Sequence, residues 1–159
     1  MRKFLLTYCL YALGFIAMLP SWAQKGPGGV GDTDGASKVV LWLDARSISQ
    51  ADNTTIATWS DLSGYANNAT SIGLPTLQTG EFNGSPVVRF DVGTEQYFTI
   101  GDDASLISSN TTIYVVFKLN AVSQTDAALI YKTSDFTNGY ALFENGNTGD
   151  LRASVDTWN

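Results

Sequence analysis

Histidine is absent from all 159 residues, and the single cysteine, Cys9, sits inside an apolar run near the amino terminus. Without imidazole there is no serine or cysteine triad built on histidine, no histidine general base and no imidazole-ligated zinc. Basic residues are also scarce, nine against fifteen acidic ones, and nowhere do they cluster. An acidic chain of this kind repels nucleic acid and anionic lipid, so a polyanionic partner is disfavoured and hard cations such as calcium fit better. Apart from the first two dozen residues there is no long hydrophobic run, and almost no stretch has an apolar period near 3.6.

What is present begins with a leader. Arg2 and Lys3 precede an apolar run from Phe4 to Leu19, and Ser21-Trp22-Ala23 supplies small residues around a cut before Gln24. This layout is that of a secretory signal peptide over residues 1–23. The run contains Thr7, Tyr8 and Gly14, ends at Pro20, and falls short of the roughly 20 apolar residues a membrane span needs. Cys9 is no lipid-attachment site, since bulky Tyr8 precedes it and no completed leader does. Cleavage removes Cys9, so the mature chain has no disulfide and no thiol chemistry. It also removes Arg2 and Lys3 from the nine basic residues, leaving seven against fifteen acidic ones, a net charge of −8.

Residues 24–37 form a glycine-rich linker with too little apolar surface to join a core. Gly26-Pro27-Gly28-Gly29-Val30-Gly31 matches a dinucleotide fingerprint by chance, with no strand before it and no helix after it. Asp32 and Asp34 fall short of a calcium loop, because no third oxygen ligand precedes Gly35. Residues 38–159 then alternate short apolar runs with clusters of glycine, asparagine, aspartate and serine, the pattern of an all-β domain. Strands are expected at Val39 to Leu43, Ala57 to Ser60, Val87 to Asp91, Tyr97 to Ile100, Thr112 to Leu119, Ala127 to Lys132, Tyr140 to Glu144 and Leu151 to Val155. Asn83-Gly84, Asn138-Gly139 and Asn145-Gly146 are the strongest turn signals, because both residue types tolerate positive φ. Asp102 to Ile107 is expected to add one helical turn. The last strand is followed at once by Trp158-Asn159, with no turn cluster or polar tail, so the domain is expected to be cut short.

Five segments carry a family resemblance. They are Pro27-Gly28-Gly29-Val30-Gly31; Leu41-Trp42-Leu43-Asp44-Ala45; Trp59-x-Asp61-x-Ser63-Gly64-x-x-Asn67-Asn68-Ala69; Asn83-Gly84-x-Pro86-x-Val88-Arg89-Phe90-Asp91; and Tyr114-Val115-Val116-Phe117. In this order they resemble the amino-terminal part of a concanavalin A-like, laminin-G-like domain of secreted bacterial surface proteins. The resemblance implies a two-sheet antiparallel jelly-roll sandwich, here incomplete, enclosing Trp42, Trp59 and Phe117. It implies a secreted or cell-surface location and a non-catalytic module for carbohydrate binding or adhesion, with a glycan or surface polysaccharide as partner. The same fold hosts laminarinase-type glycoside hydrolases, which carry a Glu-x-Asp-x-x-Glu strand. Glu81, Glu95 and Glu144 are the only glutamates here, and none heads that motif. The chain therefore offers no catalytic residue of its own, and a glycosidase reading requires the carboxylate pair to lie outside this sequence. A structural spacer in a larger surface protein is the third reading.

For binding, sugar recognition needs a flat aromatic face with amides or carboxylates to fix hydroxyls. Tyr65, Asn67 and Asn68 supply that set; alternatively the asparagines satisfy backbone groups in a turn and Tyr65 covers the core edge. Calcium at a sandwich rim, as in laminin-G-like relatives, would draw on Asp91, Asp102 and Asp103, though these are equally the residues of solvated turns. Asp61 and Ser63 are expected to close the turn after Trp59 through side-chain to backbone bonds.

Overall fold

The computed structural model describes residues 39–91, 93–107, 111–120, 127–133, 139–146 and 148–155; the expected leader and glycine-rich linker lie outside them. Among these residues eight strands follow one another: β1 (Thr58–Trp59), β2 (Ala69–Ile72), β3 (Thr76–Phe82), β4 (Ser85–Arg89), β5 (Tyr97–Ile100), β6 (Ala127–Thr133), β7 (Gly139–Glu144) and β8 (Leu151–Val155). Every pairing between them is antiparallel. Helix among the described residues is confined to two single 3-10 turns, Ala45–Ser47 and Ala104–Leu106. The chain is all-β, and no described helix is long and apolar enough to cross a membrane. It divides into two compact units, one ending at Asp103 and the other beginning at Ala104.

The first unit holds a three-stranded sheet, β1-β2-β5, and a two-stranded one, β3-β4. The segment before β1 ties them together: Asn53 and Ile56 donate backbone N–H bonds to Leu77 and Pro75 of the β3 region, and Leu77 donates to Thr54. That path buries Ile56, Ala69, Pro75 and Leu77 almost completely. Trp59 adds an edge-on contact with Phe98, ring centroids 5.6 Å apart, and Phe98 meets Phe90 at 6.0 Å. The β3-β4 hairpin turns through Asn83 and Gly84, with φ of 50° and 79°, the primed geometry that matches strand twist. At the end of β2, Gly73 has φ of 72°, and a Cβ there would lie 1.9 Å from the Glu95 carbonyl oxygen; only glycine lets the chain pass so close to the entry of β5.

The second unit is a three-stranded sheet, β6-β7-β8, with β7 in the centre. Its β7-β8 loop starts at the expected Asn145-Gly146 turn and is closed by Asn145 N–H to the Asp150 carbonyl at 2.8 Å. Asn138 lies outside the described residues.

Six of the eight expected strands are found, β5 and β8 with the expected bounds. Two are not. Val39 to Leu43 joins none of the described sheets. The main-chain groups of Trp42 are taken elsewhere: its N–H donates to the Asp61 carboxylate at 2.8 Å, and its carbonyl accepts from Leu62 N–H at 2.9 Å. Thr112 to Leu119 also lies outside any described ladder. Ile113 and Val115 are half-buried while Tyr114 and Val116 are more than four-fifths exposed, so the alternation is present although no described strand pairs with it. Trp42 and Trp59 are half-buried, whereas Phe117 is 37 % exposed.

Candidate functional site

The register of one strand pair creates the site. In β2-β5, Ala69 stands opposite Ile100, so the residues just before β2 and just after β5 emerge side by side. They are the loop Tyr65-Ala66-Asn67-Asn68 and the segment Gly101-Asp102-Asp103, and between them lies an open hollow of about 250 Å³. Ala69, fully buried, anchors the shared base.

One carboxylate organises the first loop. Asp61 Oδ1 accepts from the backbone N–H of Trp42 and of Ser63, at 2.8 and 2.9 Å. Its Oδ2 accepts from the Ser63 hydroxyl at 2.6 Å and from Asn67 N–H at 3.0 Å. The Asp61 N–H in turn donates to Asn68 Oδ1 at 2.9 Å, and Tyr65 N–H to the Ser63 hydroxyl at 3.2 Å. The expected closure of this turn by Asp61 and Ser63 is therefore present. These bonds hold Ala66 at φ of 59°, a conformation costing an alanine about 1–2 kcal/mol. Such strain persists only where the surroundings over-determine the backbone.

The five remaining candidates on this site have different exposures. Tyr65 is 37 % exposed, and Asn68, Asp102 and Asp103 are exposed as well. Asn67 is buried, and its Nδ2 donates to the Val40 carbonyl at 2.8 Å, so its amide fastens the loop to the preceding segment. Asn68 accepts the Asp61 N–H on its side-chain oxygen, and its exposed amide keeps two N–H donors. Asp91 is apart: it is exposed, does not line the hollow, and its N–H donates to Gln96 Oε1 at 2.6 Å. Among the described residues no group of three acidic, histidine or cysteine side chains converges as a metal centre. Of the described residues lining the hollow, two are carboxylates and none is basic.

The sequence offers Asp91, Asp102 and Asp103 as cation ligands or solvated turn residues, and Tyr65, Asn67 and Asn68 as sugar contacts or turn formers; nothing in the one-dimensional pattern joins the two groups. The backbone-only contributors, Ala66 and Gly101, carry no signal a sequence reading could use.

Comparison with protein families, with curated proteins and with solved structures finds no match for this chain.

Proposed function

We propose that this chain is an exported, non-catalytic module of jelly-roll type that binds a glycan or surface polysaccharide in the hollow between residues 65–68 and 101–103. The observation that carries the reading is the juxtaposition of an exposed tyrosine ring and an amide on one loop with two carboxylates on the other. An aromatic face stacks on the apolar side of a pyranose, while amide and carboxylate groups take its hydroxyls. The loop that presents the ring is already ordered by Asp61, which lowers the entropy lost on binding. A glycan array probed with the full chain tests the reading. Retention is expected, and Tyr65→Ala weakens it about tenfold, the equivalent of one lost ring contact. Arms with calcium and with chelator ask whether Asp102 and Asp103 act on sugar hydroxyls directly or through the ion. An intact chain retained on no glycan rejects the proposal.

A further inference from the structure

Residues 111–119 have the composition of a strand, rich in β-branched and aromatic side chains, and enter none of the described sheets. No backbone hydrogen bond joins them to another described residue. Tyr114 and Val116 are 85 % and 83 % exposed, more than any other large hydrophobic side chain among the described residues. A row of N–H and C=O groups without a ladder is a template for a further strand, and folded proteins blunt such edges with proline, bulges or inward-pointing charge. This segment has no proline, no glycine and one charged residue, Lys118, near its end. We infer that residues 111–119 pair antiparallel with the same residues of a second copy of the chain, forming a symmetric dimer by strand addition. The inference stands apart from the glycan reading and does not depend on it.

Side-chain pattern and charge both select the second copy as the occupant. With Val115 on the twofold axis, Tyr114 stands opposite Val116 of the other copy and Ile113 opposite its Phe117, so an aromatic ring meets a β-branched side chain at each pair and every pair occurs twice. Residues directly opposite share a face, so the exposed Tyr114 and Val116 of one copy cover those of the other. Lys118 falls opposite Thr112, about 20 Å from the second Lys118 at strand spacing and well beyond the ~8 Å screening length. A parallel pairing would set the two lysines side by side, where like charges destabilise a ladder. The segment holds no acidic residue, so the net charge of −6 lies elsewhere on the chain and opposes association only at longer range. Salt screens that repulsion, and the dimer therefore tightens as ionic strength rises, the reverse of an interface held by ion pairs.

Sedimentation velocity on the full chain, from low micromolar to several hundred micromolar, measures the association. A monomer–dimer equilibrium is expected, with the dimer fraction rising with protein concentration and with added sodium chloride. Val116→Asp, at a side chain that stands almost wholly in solvent, weakens dimerisation at least about tenfold by removing both Tyr114–Val116 pairs and adding like charge across the axis. Leu74→Asp introduces the same charge at an exposed apolar position of the first unit and leaves the equilibrium unaltered. Cross-linking reads the register. In a Cys9→Ser background, Tyr114→Cys and Val116→Cys chains are mixed under oxidised glutathione. The mixed dimer is expected to form at least about tenfold faster than either self-linked one, because directly opposite Cβ atoms lie about 5 Å apart and diagonal ones about 7 Å, beyond disulfide reach. A monomer at every concentration, growth past the dimer, dimerisation that Val116→Asp does not weaken, or self-linking as fast as mixed linking overturns the inference.

Discussion

The two units of this chain each remove a carboxylate from solvent, and they treat it in opposite ways. In the first, Asp61 is half-buried and accepts four hydrogen bonds, from Trp42, Ser63 twice and Asn67. In the second, Glu144 at the end of β7 is fully buried, and neither of its oxygens has a hydrogen-bond partner among the described residues. Strand geometry accounts for that isolation. Residues directly opposite one another share a face, so Glu144 lies with Ala127 and Leu151, while Arg152 stands opposite Phe143 on the other face. Lys132 is opposite Tyr140, four residues further along β7, or about 13 Å away at strand spacing. One carboxylate thus builds structure around itself; the other is carried by structure built without it. A satisfied buried acid contributes order to its neighbours, and an unsatisfied one is a cost that the rest of the fold must offset.

Three substitutions or conditions sharpen this contrast. The largest effect is expected from Asp61→Ala, which orphans the N–H groups of Trp42, Ser63 and Asn67 together. A loss of about 2–4 kcal/mol follows from charge-assisted bonds worth roughly 1.5–3 kcal/mol each, with partial rescue by water. Urea denaturation measures it, and glycan binding should fail with it because Tyr65 loses its support. A fold that melts as before would show that the loop needs no such centre.

Glu144→Leu is expected to move stability the other way, raising it by about 1–3 kcal/mol by removing an unsatisfied buried group at nearly constant volume. Hydrogen exchange of the β6-β7-β8 amides reads this locally. A destabilised sheet would mean that the carboxylate has a partner and that the contrast between the units is false.

The smallest effect is an acid-range pH dependence in the first unit. The Arg46 guanidinium, 2.6 Å from Asp44, holds that carboxyl below its ordinary 3.8, and Thr79 N–H does the same for Asp52, also at 2.6 Å. Both are groups whose folded pKa is depressed. Their contribution is complete above the ordinary value and disappears as pH falls through the lower, folded ones. Acidification from pH 5 to below 4 should lower the unfolding midpoint slightly, and Asp52→Asn should flatten that slope. Arg46 and Asp52 are exposed, so solvent screens most of the effect.

The same local physics explains what could be read in advance. Strands β5 and β8 were legible with their bounds because Tyr97-Phe98-Thr99-Ile100 and Leu151 to Val155 combine strand formers with flanking turn residues. Strands β2 and β3 were not: Ala69-Thr70-Ser71-Ile72 is too polar to stand out, and Gly80-Glu81 makes β3 look like loop. Val39 to Leu43 misled in the reverse direction. It has strand composition, yet an aspartate nineteen residues later takes the Trp42 N–H that a ladder would have used. The candidate residues of the site were visible one loop at a time. Their meeting depends on the Ala69–Ile100 register, and half of that pairing belongs to a strand the pattern did not reveal.

That meeting of the two segments is open to direct measurement. Backbone amide chemical shifts, followed by NMR while a binding oligosaccharide is titrated in, address it directly. Residues 65–68 and 101–103 should shift together along one saturation curve. Movement of only one of the two segments, or of neither while ligand binds elsewhere, would contradict the site.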